Sequence, residues 1–218
     1  MSHTVFPGIT PGRVHRWGGA TLLVARRDAP GRRPSWSRLP LFTPAERLVL
    51  HGLPPWRQAE WGAGRLIAKT VVSWLTGLPV TDVEILPRDD GSPRVSVPGL
   101  HVSLSHTTHH VAAAIASGAV GVDLCETTAA PAVRRAAAHV MAPEERQLSG
   151  ETPELLTAAW ALKEAAVKAE RQGLFSEAPR RIRILTLAPP TLSGDRRALV
   201  GSAGTATLAL VLGDGQGG

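Results

Sequence analysis

Tyrosine is absent from this 218-residue chain, phenylalanine occurs three times, and lysine stands only at Lys69, Lys163 and Lys168. Modules that bind single-stranded nucleic acid stack bases on aromatic rings, and this chain has little material for such a platform. A single cysteine, Cys125, excludes any disulfide within the chain and fits a reducing compartment. No apolar run approaches the ~18 residues that a membrane helix needs. The opening MSHTVFPGITPGRVHRW has no apolar stretch behind a basic end, so it does not read as a secretory leader. The expectation is a soluble, cytoplasmic protein.

What the chain has instead is arginine, which supplies all but three of its 24 basic residues. The formal net charge is +6 and the sequence pI is near 10.8. Such a balance favours acidic partners: nucleic acid, phosphate-rich cofactors or acidic proteins. Together with 22 glycines and 18 prolines, the arginine bias is also what a GC-rich genome produces. At 43% hydrophobic residues the chain can bury a core, and its length suits one large domain or two small ones.

Residues 1–40 are rich in Pro, Gly and Arg, with one apolar run, Ala20–Ala25, that reads as an edge strand. Thr43-Pro44-Ala45-Glu46 is a helix start, with Thr as N-cap, Pro at N1 and Glu closing a capping box. Pro54-Pro55 interrupts that helix. A longer one follows from about Trp56 to Leu75, stopped by Gly77 and Pro79. Short strands are predicted at Val83–Leu86 and Arg94–Val97. HVSLSH (101–106), VAAAIA (111–116) and AVGVDL (119–124) read as an antiparallel meander that brings Asp123 towards Ser105 and His106. Helices are predicted over 132–147, with a break at Pro143, and from Thr152 to near Gly173. Strands are predicted over 182–187 and 205–211, with a frayed GDGQGG tail. Helices and hairpins do not alternate as βαβ units, so the class is α+β. A seam near Gly118 divides the chain into halves, 1–118 and 119–218, each a helix followed by strands.

Four segments carry candidate chemistry. Arg65 and Lys69, four residues apart, share a helix face with Arg57, forming either a phosphate clamp or a solvated basic face. His106, one of four histidines between 101 and 110, suits a phosphate donor, a metal cluster or a polar strand end. Asp123 interrupts an apolar strand, and a buried carboxylate must be paired with a cation, whether metal or arginine. Trp160, Glu164 and Lys168 fall on one helical stripe, where the last two form a favourable i,i+4 pair.

Taken in order, TPAER, Arg57 with Gly64-Arg65, DGSP, SLSH, GVDL, APEER and WALKEAAVKA resemble the surfactin-type (Sfp-type) 4′-phosphopantetheinyl transferases. The likeness runs from about Thr43 to Phe175, and the WxxKEAxxK block is its most specific element. The resemblance implies two pseudo-symmetric α+β halves, each a helix packed on a small antiparallel sheet, with coenzyme A and Mg²⁺ in the cleft between them. It implies that Asp123 and Glu164 hold Mg²⁺ and that Glu164 is the base for the attacking serine. Lys168 and Lys163 would neutralise phosphate charge, and Arg57, Arg65, Ser105 and His106 would hold the nucleotide phosphates. Residues 1–118 would then contact the nucleotide, and 119–218 would carry the metal site and the catalytic helix. The implied partners are acidic apo acyl or peptidyl carrier proteins of polyketide or nonribosomal peptide synthesis, and the implied state is a monomer.

Two positions depart from the family pattern. Where GVDIE is common, Cys125 takes the place of the second acid, and Glu126 follows one residue later on the other strand face. Where a loop lysine is common, the chain has Ser92, with Arg88 and Arg94 nearby. The competing readings are a degenerate paralogue that binds coenzyme A or carrier protein without transferring, and a basic nucleic-acid-binding protein.

Overall fold

The computed structural model of the chain describes residues 6–27, 40–150, 152–173 and 176–213. The tail predicted to fray lies outside them except for Gly213, as do the first five residues of the opening segment. The first half comprises β1 (Val14–Trp17), β2 (Ala20–Arg26), α1 (Pro44–His51), α2 (Pro55–Thr76), β3 (Ile85–Pro87), β4 (Pro93–Val95), β5 (His101–His106) and β6 (His110–Ala116). The second comprises β7 (Val120–Glu126), α3 (Ala130–Val140), α4 (Pro143–Leu148), α5 (Pro153–Ala169), α6 (Ala178–Arg181), β8 (Ile184–Leu187), β9 (Pro190–Leu192), β10 (Arg197–Ala203) and β11 (Ala206–Leu212).

Four strands form an antiparallel sheet in the order β1-β2-β6-β5, and three form a second in the order β10-β11-β7. Alternation within the strands divides the side chains of each sheet between a core shared by the two sheets and an outer core under a helix, three cores in all. Leu22, Val24, Ala112, Ala114, Val122, Leu124, Leu208 and Leu210 meet between the sheets. The outward face of the first sheet is covered by α2 through Ile67, Val71 and Val72. That of the second is covered by α5 through Leu162, Ala165 and Ala166. The result is a four-layer α+β arrangement of two similar halves.

One device recurs in both halves. Glu46, at the third position of α1, accepts from the Thr43 backbone N–H at 2.9 Å and the Ile85 N–H at 2.8 Å. It also receives Lys69 of α2 at 2.5 Å. Glu145, at the same position of α4, accepts from the N–H of Ala142 at 2.8 Å, that of Ile184 at 2.6 Å, and Lys163 of α5. All four charged side chains are essentially inaccessible to solvent. Each ion pair therefore ties a short helix, a long helix and a strand together, and TPAER and APEER are two copies of one motif.

The structure differs from the sequence reading in the strand order. β6 does not pair with β7: after Ser117-Gly118 the chain leaves the first sheet, and β7 pairs with β11. In place of a backbone ladder, serine hydroxyls of β5 meet the edge of β7. Ser103 Oγ accepts from the Val122 N–H, and Ser105 Oγ from the Leu124 N–H, both at 3.0 Å. β2 is not an edge strand either, because β1 covers its outer side. The strands β1, β9 and β10 have no counterpart in the sequence reading. β1 is only four residues long and at least partly exposed throughout, and β10 has a glycine in its interior.

Candidate functional site

On β7, Gly121, Asp123 and Cys125 point to one face, the face covered by α5. Gly121 makes the close approach of α5 possible: a Cβ built there would lie 1.8 Å from the Ala165 carbonyl oxygen. The short distance between strand and helix sets Asp123 against the stripe that carries Glu164 and Lys168. Asp123 Oδ1 accepts from Ser105 Oγ at 2.8 Å and from Lys168 Nζ at 2.5 Å. Lys168 also lies 3.7 Å from Glu164 Oε2 and donates to the Val122 carbonyl at 3.3 Å. The structure thus brings Ser105, Asp123, Glu164 and Lys168 together, although through the edge of β7 and not through the meander expected from the sequence.

The electrostatics of this group follow from two carboxylates sharing little water. Burial, and then the charge of Asp123, push the Glu164 carboxyl up to about 7, while Lys168 opposes them. Burial alone would lower Lys168, but Asp123 and Glu164 outweigh it and raise its pKa. Two neighbouring carboxylates that share a single lysine are under-neutralised. A hard divalent cation with oxygen ligands suits this donor set. Among the described residues no third His, Cys, Asp or Glu joins the pair in one metal-binding group. Mg²⁺ commonly keeps several waters, so two protein carboxylates fit it.

The neighbours of Asp123 on β7 do not add a ligand. Burial, reinforced by Asp123, Glu164 and Glu126, pushes the Cys125 thiol up to about 12, so it stays protonated. Glu126 is fully engaged elsewhere. Its Oε1 accepts from Thr107 Oγ1 at 2.6 Å and lies 3.2 Å from His110 Nδ1, and its Oε2 accepts from Thr205 Oγ1 at 2.6 Å. That network fastens hairpin tips of both halves to the end of β7.

Beside the carboxylates lies a cleft of about 660 Å³ between the halves. Arg65, His106, the β3–β4 turn and β5 line one side, and Lys168 and Arg171 the other. Arg65 stacks over Trp61 at 4.3 Å, and its buried Nε has no hydrogen-bond partner. Burial lowers its pKa to about 10, which Glu46 opposes and Arg57 reinforces. It remains a cation at neutral pH, with donor capacity unspent. Arg57 is exposed, 6.0 Å from the Trp56 ring. His106 is 3.8 Å from Glu60, which also receives Arg27 at 3.4 Å. Burial lowers the His106 pKa; Glu60 opposes this, and Arg27, Lys168 and Arg57 push the same way as burial.

Two lysines do not take the places that the sequence suggested. Lys163 is fully buried and donates to Glu145, to the Pro179 carbonyl at 2.9 Å and to the Ile182 carbonyl at 2.5 Å. All three ammonium protons are used inside the second half, so it has none to offer a phosphate. Lys69 turns inward to Glu46 in the same manner and is not part of a basic face with Arg57 and Arg65. Sequence reasoning passed over Arg27, Glu60 and Arg171. No motif marks them, and only the folded chain brings them to the cleft or to His106.

The comparisons with known proteins converge on one superfamily. Residues 45–116 match the 4′-phosphopantetheinyl transferase N-terminal domain, and residues 119–200 match the 4′-phosphopantetheinyl transferase superfamily domain. Over 85 residues the chain is 32% identical to a holo-[acyl-carrier-protein] synthase of Geobacillus kaustophilus (strain HTA426). That alignment covers 34% of this chain and 66% of the relative, just under two thirds of its length. No helix among the described residues is long and apolar enough to cross a membrane. With both halves matched in sequence order, and the acidic pair and the cleft in place between them, the chain belongs to the 4′-phosphopantetheinyl transferase superfamily.

Proposed function

We propose that this chain transfers the 4′-phosphopantetheine arm of coenzyme A to a serine hydroxyl of an apo acyl or peptidyl carrier protein, in the manner of the surfactin-type enzymes. The observation that carries the reading is the convergence of Asp123 and Glu164 on Lys168, which itself lines a cationic cleft. The presence of both halves in one chain supports the surfactin-type assignment and a monomeric enzyme, since the cleft lies between halves of the same molecule. The synthase relative supports carrier protein as the acceptor.

Phosphoryl transfer from a pyrophosphate calls for in-line positioning and for positive charge around the equatorial oxygens. In this reading Asp123 and Glu164 hold Mg²⁺, which when bound neutralises the pyrophosphate and polarises the bond that breaks. Ser105 keeps Asp123 oriented through its 2.8 Å bond. Arg57, Arg65 and His106 bind the nucleotide phosphates, and Lys168 neutralises charge at the transferred phosphoryl group. Glu164 takes the proton of the carrier serine as general base. The serine oxygen bonds to the phosphorus of the phosphopantetheine, and the bond to 3′,5′-ADP breaks. A net charge of +6 draws in an acidic carrier and makes the encounter sensitive to salt.

The test is chromatographic release of 3′,5′-ADP from coenzyme A on addition of an apo carrier. Asp123→Asn is expected to abolish the release, and Lys163→Met to leave the activity per folded molecule unchanged. Release that is indifferent to Asp123 would remove the proposed metal site from the reaction.

A further inference from the structure

Glu60 is the only acidic residue of α2, and in the sequence it stands between Arg57 and Arg65. An anion at this place weakens the hold of a cationic cleft on negatively charged ligands, unless another group makes use of its charge. Glu60 is not among the residues that line the cleft, whereas His106 is. It acts on a bound ligand through a neighbour.

Two neighbours face it. Arg27, the residue after β2, places Nη1 3.4 Å from Glu60 Oε1 and donates from the same nitrogen to the Thr107 carbonyl. Its backbone N–H donates to the His109 carbonyl at 2.8 Å, so Arg27 is fixed to the β5–β6 turn by side chain and backbone alike. The other carboxylate oxygen, Oε2, lies 3.8 Å from His106 Nε2, within ion-pair range but longer than a hydrogen bond. Side-chain exposure rises along the series, from 13% at Arg27 through 22% at Glu60 to 43% at His106. The chain of contacts thus runs from the interior to the cleft wall.

The charged groups that face His106 are Glu60 and Arg57 on α2, Arg27 after β2 and Lys168 on α5. Its partner across the sheet on β6, Val111, is apolar, and Asp123 on β7 is taken up by Ser105 and Lys168. Glu60 is therefore one anion set against three cations. Burial lowers the His106 pKa most; Glu60 opposes it, and the three cations add to the lowering. Arg27 offsets the charge of Glu60 as seen from the cleft, while the imidazole beside the carboxylate still feels it.

We propose that Glu60, held by Arg27, is a positioning residue for His106: it holds one ring nitrogen away from the cleft and supplies the negative charge that lets the ring carry a proton when an anionic ligand binds. A carboxylate behind a histidine fixes the ring and favours its charged form. The pH range over which the cleft holds its ligand is then set from behind the wall, by a residue the ligand never touches. The inference rests on the functional reading above in taking coenzyme A as the ligand, but the titration of His106 itself does not depend on that reading.

The test has two arms. Heteronuclear NMR of the full chain follows the His106 imidazole between about pH 5 and 8, with His106→Asn identifying its signals. Glu60→Gln, which keeps the size and removes the charge, moves the midpoint to lower pH. Glu60→Asp, which keeps the charge at shorter reach, falls between. The second arm is calorimetric titration with coenzyme A across the same range. The fall of affinity with rising pH begins earlier in Glu60→Gln, which binds like the unmodified chain at the acid end and roughly two- to fivefold more weakly near neutrality. A His106 midpoint that Glu60→Gln leaves in place, or coenzyme A binding weakened by the same factor at every pH, overturns the proposal. A chain whose His106 midpoint moves as expected but which binds no coenzyme A keeps the pairing of Glu60 with His106 and loses the transferase reading.

Discussion

Replacing Gly121 with alanine tests how the fold makes the site. The added Cβ would lie 1.8 Å from the Ala165 carbonyl oxygen, 2.7 Å from the Ala169 nitrogen and 2.8 Å from the Ala165 carbonyl carbon. All three are backbone atoms of α5, so no side-chain rotation relieves the clash. To reach an ordinary contact of about 3.4 Å, the helix must move away from β7 by roughly 1.6 Å. Overpacking of this kind costs about 1–3 kcal/mol, and backbone against backbone puts it at the upper end. For a chain of this size the melting temperature falls by about 4–12 °C. The same displacement pulls Glu164 and Lys168 away from Asp123, and misplacement on the order of 1 Å costs about a hundredfold in rate. Thermal melts and transfer rates of Gly121→Ala, with Gly64→Ala as comparison, measure both effects. Gly64 sits in α2, where a Cβ meets Leu104 Cδ1 at an ordinary 3.6 Å. There alanine adds helix propensity, up to about 1 kcal/mol. A Gly121→Ala protein that melts and transfers like the unmodified chain would refute the reasoning.

Lys163→Ala strands the buried Glu145 carboxylate and lowers stability by about 3–5 kcal/mol in urea unfolding. Adding Glu145→Gln restores part of that loss, because no uncompensated charge is then left inside. The Cys125 thiol, pushed up to about 12, resists alkylation by iodoacetamide in mildly alkaline buffer until the chain is unfolded. Rapid labelling of the native protein would contradict its burial. For Glu126, burial works to raise the carboxyl, but the bonds from Thr107, Thr205 and His110 outweigh it and lower the pKa from 4.5. Its stabilisation is therefore present above 4.5 and is lost as the pH falls through the lower folded-state value. Glu126→Gln flattens the acid limb of a stability–pH curve, and an unchanged acid limb would show that the network contributes nothing.

Local chemistry made much of this legible in the sequence. Thr43 and Glu46 announce the α1 capping box, Gly77 ends α2 in the left-handed conformation, and the alternation of HVSLSH defines β5 to the residue. Asp123 stood out because a carboxylate inside an apolar strand needs a partner, and the structure supplies Lys168 and Ser105. Strand order was not legible, because β6 and β7 are consecutive and apolar and nothing local records that one sheet ends between them. The fate of the lysines was hidden for a related reason. Lys163 and Lys168 stand five residues apart on α5, and only the packing of α4 against α5 decides that the first points inward to Glu145. The equivalence of TPAER and APEER was present in the sequence but became plain only when each glutamate was seen to hold a lysine and a strand.

The central claim is that this cleft transfers phosphopantetheine, and intact mass spectrometry of an apo carrier protein tests it most directly. The carrier is incubated with the chain, coenzyme A and Mg²⁺, alongside reactions containing EDTA or Glu164→Ala protein. The account predicts a gain of one phosphopantetheine per carrier, abolished in both controls. An unmodified carrier under all conditions, with coenzyme A still bound by the protein, would contradict transfer and leave a ligand-binding relative with Cys125 in place of the acid.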